Sequence, residues 1–359
     1  MPFVENPSAT MRDLTPLVMR FGAMGDMILL VPMLKLLQQR YTQACDVVGS
    51  GPWTVPLMAR TPACGAVHLL TSRRAPYWFN RSQWQLVSAL RQRRPGPVYV
   101  FESDDTSHEL LRRAGIGPEW ICSLRDLPRR PDEHIAAHAM RLARQTPRAL
   151  AGGRIPEVAG EPDTRLKVTE DDRRDLEAWL RRRGLAGAPL VLIQSGNKKT
   201  MKGGPRQRGS NVKYWPEANW AAVITGIHRI LPASRLILCG APSERALAED
   251  IAKLVPEASA NLAIATDDLP IPRLLALQER AHSMVTVDTG PAHAAAAMGC
   301  PEVVLFTRNP LCEASLYAPL PTSAPVKILL PPDPAPDASL ASITPEAVVR
   351  AWHELVTAR

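Results

Sequence analysis

The sequence has no stretch long and apolar enough to read as a membrane span. The best candidate, Met27 to Leu37, is short and holds Pro32 and Lys35, so any membrane contact is expected to be peripheral. An apolar leader is missing as well. Residues 1–16 contain Glu5 and Asp13 and no h-region, so no secretory signal is expected and the chain reads as cytoplasmic. No two cysteines form a CxxC pair. Cys45, Cys64, Cys122, Cys239, Cys300 and Cys312 stand singly, several beside apolar runs, and read as reduced packing residues. No His, Cys, Asp or Glu cluster has metal-ligand spacing, so no metal is expected. The loop Gly22-Ala23-Met24-Gly25-Asp26 lacks the third glycine of a GxGxxG dinucleotide fingerprint.

Charge is present but unevenly placed. The chain has 359 residues with 43 basic and 35 acidic side chains, a formal charge of +8. Residues 1–165 carry 21 basic and 15 acidic groups, and Lys35 is their only lysine. Arginine suits bidentate contact with phosphate and carboxylate. Such a surface fits nucleic acid, anionic lipid or an anionic substrate, and colloidal charge without a partner fits equally well.

The length suits two domains. Short β-branched runs alternate with amphipathic stretches, the pattern of parallel sheets flanked by helices. Strands are expected at Leu17–Phe21, Cys45–Val48, Val67–Leu70 and Val98–Phe101, and helices at Arg81–Arg94 and His134–Gln145. Pro32 should kink or delay the helix that runs toward Arg40. Residues 146–165 gather Pro and Gly like a linker. A polar helix, Glu170–Arg183, opens a second alternating series, with strands at Leu190–Gln194, Arg235–Cys239, Met284–Val287 and Glu302–Phe306. The expected domains are residues 1–165, residues 166–335, and a final helix within 336–359 that packs back toward the N-terminal domain. Two such halves bind ligands where strand C-termini converge.

Asp288-Thr289-Gly290-Pro291-Ala292-His293 ends a strand, turns on Gly290 and starts a helix with Pro at its first position. A helix N-terminus placed there suits a diphosphate, with Thr289 adding a hydroxyl and His293 near the same mouth. An ordinary strand–turn–helix with Asp288 as a local cap fits the residues as well. Asp26, following a glycine turn, is either a helix cap or a carboxylate available to take a proton.

The run Asp288 to Phe306 resembles the signature of the family 9 glycosyltransferases, the heptosyltransferases. Arg20 to Asp26 with Pro32 is similar to the opening loop of that family. Lys213-Tyr214-Trp215-Pro216 and Gly240-Ala241-Pro242-Ser243-Glu244 match in order and distance. The resemblance implies an α/β chain of the GT-B fold: two facing Rossmann-like domains with the active site in the cleft between them. It implies inverting transfer of a heptose from ADP-heptose to the inner core of lipopolysaccharide, with no cofactor beyond that nucleotide sugar. The partners it implies are the nucleotide sugar, an anionic lipid-linked saccharide and the cytoplasmic face of the inner membrane, and not nucleic acid. Asp26 would be the base, with Gly25 on the acceptor side. Lys213, Glu244, Asp288, Thr289, Gly290 and His293 would bind the donor, Lys213 taking the place of a metal on the departing diphosphate and Glu244 accepting from ribose hydroxyls.

Three stretches depart from the family pattern. Residues 196–212 are longer and more basic than the usual loop, Thr307-Arg308-Asn309-Pro310 replaces a glycine-containing turn, and Glu102-Ser103-Asp104-Asp105 replaces an acceptor-side stretch. The basic loop, through Lys198, Lys199, Arg206 and Arg208, is either a lid that meets acceptor phosphates or carboxylates, or a solvated insertion. Other nucleotide sugars, O-antigen or protein acceptors, a nucleotide-sugar epimerase and a nucleotide-binding protein without catalysis are the competing readings.

Overall fold

The computed structural model describes residues 14–73, 76–197, 200–201 and 204–358, with only the backbone at 205 and 206. The chain divides into two units, Met1–Thr164 and Arg165–Arg359. In the first unit the order is β1 (Leu17–Met19), α1 (Met24–Ile28), α2 (Val31–Tyr41), β2 (Cys45–Gly49), α3 (Thr54–Met58), β3 (Cys64–Leu69), α4 (Arg81–Gln92), β4 (Val98–Val100), α5 (Asp105–Arg113), β5 (Ile121–Ser123) and α6 (Ile135–Ala143). The helix expected across Pro32 is broken into α1 and α2. Pro32 sits in the first turn of α2, where a missing N–H leaves no bond unmade.

The second unit runs α7 (Glu170–Arg182), β6 (Leu190–Gln194), α8 (Glu217–Ile230), β7 (Arg235–Cys239), α9 (Arg245–Lys253), β8 (Leu262–Ala265), α10 (Ile271–Arg280), β9 (Ser283–Val287), α11 (Gly290–Ala297), β10 (Glu302–Leu305), α12 (Ala314–Tyr317), β11 (Val326–Leu329) and α13 (Pro345–Thr357). The sheets have the orders β3-β2-β1-β4-β5 and β11-β10-β9-β6-β7-β8, and every pairing is parallel. These are two doubly wound units, the GT-B plan.

Parallel strands are buried on both faces, which is why their sequences are runs rather than alternations. In the first unit Leu17, Met19, Val98 and Val100 pack against Leu86, Leu90, Leu110 and Leu111 of α4 and α5. Arg40 is buried at the end of α2 and donates to the carbonyls of Ala143, Gln145 and Pro156 and to Thr146 Oγ1, so the segment after α6 is fastened to α2. In the second unit Val191, Ile193, Val285 and Leu305 face Trp220 and Ile224 of α8 and Val348, Trp352 and Leu355 of α13. The final helix, expected to pack back toward the N-terminal half, therefore spends its apolar face inside the second unit. Its stripe of Val348, Trp352 and Leu355 matches the groove beside α8, and Trp352 Nε1 reaches Ser283 Oγ at 2.8 Å.

All six cysteines are free thiols, and burial pushes those of Cys64, Cys122 and Cys239 up to about 12, so they stay protonated. Glu302, first residue of β10, is fully buried, and neither carboxylate oxygen has a hydrogen-bond partner among the described residues. Burial raises its pKa well above the ordinary value. A carboxyl raised on folding binds a proton that the unfolded chain has released. Above the unfolded pKa, stability therefore falls as pH rises, by up to about 1.4 kcal/mol per pH unit. Glu302→Gln should match the wild type in urea unfolding at pH 4.5 and exceed it at pH 8. Parallel pH profiles for the two proteins would contradict this.

Candidate functional site

Each unit gathers its candidate residues where the strand order reverses, at the carboxyl edge of its sheet. In the first unit that point lies between β1 and β4. The chain leaves β1 through Arg20, Phe21 and Gly22 and enters α1, of which Gly25 and Asp26 form the first turn. A side chain at Gly22 would place its Cβ 2.3 Å from the Cβ of Asp26, so only glycine lets the loop close on that carboxylate. Asp26 is the third residue of the helix rather than its cap. Its Oδ2 accepts from the Ala23 amide at 2.8 Å and its Oδ1 from Arg20 Nη2 at 2.9 Å. The side chain keeps 27% of its surface exposed, enough to meet a small polar group.

Arg20 is held in turn. Nη1 donates to the Phe101 carbonyl at 3.1 Å and lies 3.6 Å from Glu102 Oε1. The same Glu102 oxygen accepts from the Phe21 amide at 2.6 Å, which ties the loop after β1 to the end of β4. Arg73 completes the row: Nη1 is 3.6 Å from Glu102 and 3.3 Å from Asp104, and the guanidinium lies 4.8 Å from the centre of the Phe21 ring. Cations and carboxylates therefore alternate from Asp26 through Arg20, Glu102 and Arg73 to Asp104. Arg20, Arg73 and Glu102 were not among the candidate site residues. The one available sign was a carboxylate directly after a strand, in the stretch that departs from the family pattern.

The second unit reverses its strand order between β6 and β9. Lys213 pairs there with Asp288, which directly follows β9, and its amide donates to Asn211 Oδ1 at 3.0 Å. Asp288 thus serves Lys213 and is not a helix cap. Thr289 occupies the cap position of α11 without making a side-chain cap bond, and its buried Oγ1 has no partner among the described residues. Gly290 and His293 follow in the first turn, with His293 buried. The alanines of α11 are buried, which lets its backbone lie close to the sheet.

Glu244 ends the loop after β7. Its Oε2 accepts from the Ala241 amide at 2.7 Å, while Oε1 is buried without a partner among the described residues. Burial raises the carboxyl, opposed by the Ala241 amide and Gln194. A Cβ at Gly196 would lie 2.4 Å from Glu244 Oε1, so the loop after β6 passes directly over that oxygen. The structure thus joins Lys213 with Asp288, and Glu244 with Gly196, at one edge of one sheet.

The basic loop separates into parts. Lys198 and Lys199 lie outside the described residues, as does the side chain of Arg206. Arg208 is not a free cation of a lid. It is buried and donates to Glu217 Oε1 at 2.6 Å and Asp250 Oδ2 at 2.9 Å, pinning the end of the loop to α8 and α9. Among the described residues no group of three or more His, Cys, Asp or Glu side chains is arranged to hold a metal ion. No helix among them is long and apolar enough to cross a membrane.

Solved structures share this architecture over nearly the whole chain. ADP-heptose lipopolysaccharide heptosyltransferase II of E. coli aligns over 96% of this chain and 99% of its own, at 19% identity and a TM-score of 0.75. A family 9 glycosyl transferase of Veillonella parvula aligns over 98% and 99%, at 16% identity and a TM-score of 0.77. The E. coli heptosyltransferase WaaC, solved with ADP, aligns over 95% and 99%, at 19% identity and a TM-score of 0.67. No curated protein matches the sequence. These likenesses place the chain in the GT-B fold. The model of glycosyltransferase family 9 (heptosyltransferase) matches residues 133–324, more than half the chain, and the protein belongs to that family.

Truncating Arg208 would strand the carboxylates of Glu217 and Asp250. Arg208→Ala should lower the stability of the second unit by about 1–3 kcal/mol in chemical denaturation, and Arg208→Lys should recover part of it. An unchanged midpoint together with a raised acceptor KM would return Arg208 to the acceptor side.

Proposed function

We propose that this protein transfers a heptose, with inversion, from ADP-heptose to the inner core of lipopolysaccharide at the cytoplasmic face of the inner membrane. The observation that carries the reading is Asp26: a partly exposed carboxylate at the strand-order reversal of a family 9 chain, held in one position by Ala23 and Arg20. As the acceptor hydroxyl attacks the anomeric carbon, Asp26 takes its proton, the bond from that carbon to the diphosphate oxygen breaks, and ADP leaves. Negative charge then builds on the diphosphate. The amides at the start of α11, the Thr289 hydroxyl and Lys213 are the groups that meet it, with Lys213 turning from Asp288 to the phosphates. Glu244 Oε1, buried without a partner, suits a ribose hydroxyl as donor.

Asp26→Asn should keep affinity for ADP and lower turnover by at least about 100-fold, the scale expected for a lost general base. Near wild-type turnover in the purified variant would remove Asp26 from the chemistry. Transfer should persist in EDTA because Lys213 and the α11 amides supply the positive charge. Full loss in EDTA, restored by Mg²⁺ or Mn²⁺, would contradict that assignment. The donor is tested by mass spectrometry with ADP-heptose and ADP-, UDP- and GDP-hexoses on heptose-deficient lipopolysaccharide. Preference for a hexose donor would overturn the heptose reading, and an epimerised free donor formed without acceptor would overturn transfer itself.

A further inference from the structure

The first unit carries an exposed aromatic patch that none of the chemistry above uses. Among the described residues the exposed Trp, Tyr and Phe side chains are Trp78, Phe79 and Trp84, all within one short segment. Phe79 is 87% exposed and Trp78 68%, where a free-standing soluble domain would bury such surface. The segment is built to hold them outward. Tyr77–Phe79 form a single 3₁₀ turn, and Asn80 then caps α4 while its amide donates to the Ser72 carbonyl at 2.7 Å. Tyr77 sits beneath as a base, with ring centroids 5.7 Å from Trp78 and 6.4 Å from Trp84. Arg113 of α5 lays its guanidinium 4.3 Å from the Tyr77 ring and 5.7 Å from that of Trp78. The Trp78 and Trp84 rings are therefore seated on Tyr77, with Phe79 beside them at the end of the turn.

The charge around the patch selects its partner. From position 73 to position 94 the sequence holds six arginines and no acidic residue. Arg81 is exposed in the first turn of α4, directly after the aromatic turn, and Arg91 is exposed in its last turn. Arg93 faces inward, paired with Asp46, and adds nothing to this surface. Tryptophan and phenylalanine flanked by exposed arginine is the composition of a surface that enters the headgroup layer of an anionic bilayer. The rings displace interfacial water, and the guanidinium groups meet phosphate. Asp105 and Glu109 of α5 also line the groove beside Tyr77, but they pair with Arg125 and with Arg112 and Arg113, whereas among the described residues Arg81 and Arg91 have no carboxylate partner. A nucleic-acid surface with the same charge would have little use for a protruding Phe79.

We propose that Trp78, Phe79 and Trp84, with Arg81 and Arg91, dock the protein on an anionic lipid surface. This gives a place to the peripheral membrane contact in the functional reading above, yet its test needs no transfer reaction. The full-length protein is mixed with vesicles of phosphatidylcholine alone and of phosphatidylcholine with about 30% phosphatidylglycerol, and bound protein is measured by sedimentation at low and at physiological salt. Binding is expected on the anionic vesicles only and should weaken with salt. Trp78→Ser/Phe79→Ser, which removes exposed rings only, should lower partitioning at least about tenfold. Arg81→Ser/Arg91→Ser should lower it and flatten its salt dependence. The aromatic variant should transfer sugar to a soluble, delipidated acceptor at the wild-type rate. If no transfer occurs with any donor while vesicle binding behaves as described, the docking surface stands and the heptosyltransferase reading falls. Equal binding of wild type and aromatic variant, or no binding to anionic vesicles, overturns the docking surface. So does a wild-type dimer in sedimentation velocity that the aromatic variant dissolves, since the patch would then belong to a second copy of the chain.

Discussion

Every strand in both sheets pairs in parallel, and a parallel pair cannot be closed by a hairpin. Each strand must hand the chain to a crossing segment, so all carboxyl-end loops of a sheet gather along one edge. Where the strand order reverses, two neighbouring loops leave in opposite directions and open a gap between them. The residues that matter most stand at those gaps: Asp26 and Glu102 beside β1 and β4, and Asp288 and Gly196 beside β9 and β6. The chemistry is placed by a rule of hydrogen bonding that operates far from any substrate.

Much of this was readable in the chain because the signals were local. A strand followed at once by a glycine turn and a helix is a local signal, and β1, β7 and β9 are legible in this way, while β6 is legible from its apolar run Leu190–Ile193 alone. The edge strands β8 and β11 did not, since Leu262–Ala265 and Val326–Leu329 are short and only half buried. The helix α5 is not among the expected helices; Asp104 caps it by accepting from the Ser107 amide. Asp26 and Lys213 could be singled out from their motifs, but their partners could not. Glu102 meets Arg20 across 82 positions of sequence, and Arg208 finds Asp250 across 42. An arginine in a glycine-rich stretch looks solvated until its distant carboxylate is known.

The surplus of positive charge also divides once partners are visible. Arg20 and Arg73 are spent on Glu102, Asp104 and Asp26, Arg40 on carbonyl oxygens, and Arg93 on Asp46. Arg141 is spent on Glu133, whose carboxyl it draws down to about 2. Part of the basic character of the first half is thus internal fastening. Of what remains outward, Arg81, Arg91 and Arg94 lie along and just after α4, beside the exposed rings.

The loop carrying Lys213 runs straight into Trp215, which is fully buried, packs edge-on against Trp220 at 4.9 Å and donates to the carbonyl of Ile343 at 3.1 Å. Ile343 lies just ahead of α13, so the carboxyl-terminal helix and the lysine two residues before Trp215 share one anchor. These distant stretches therefore form one mechanical unit. A change in volume at Trp352 or Leu355 falls in the same buried cluster as Trp215 and Trp220, so its strain has a short path to the lysine loop. Swapping the tail between relatives would for that reason carry a cost at the donor edge that no comparison of the two tails alone would reveal.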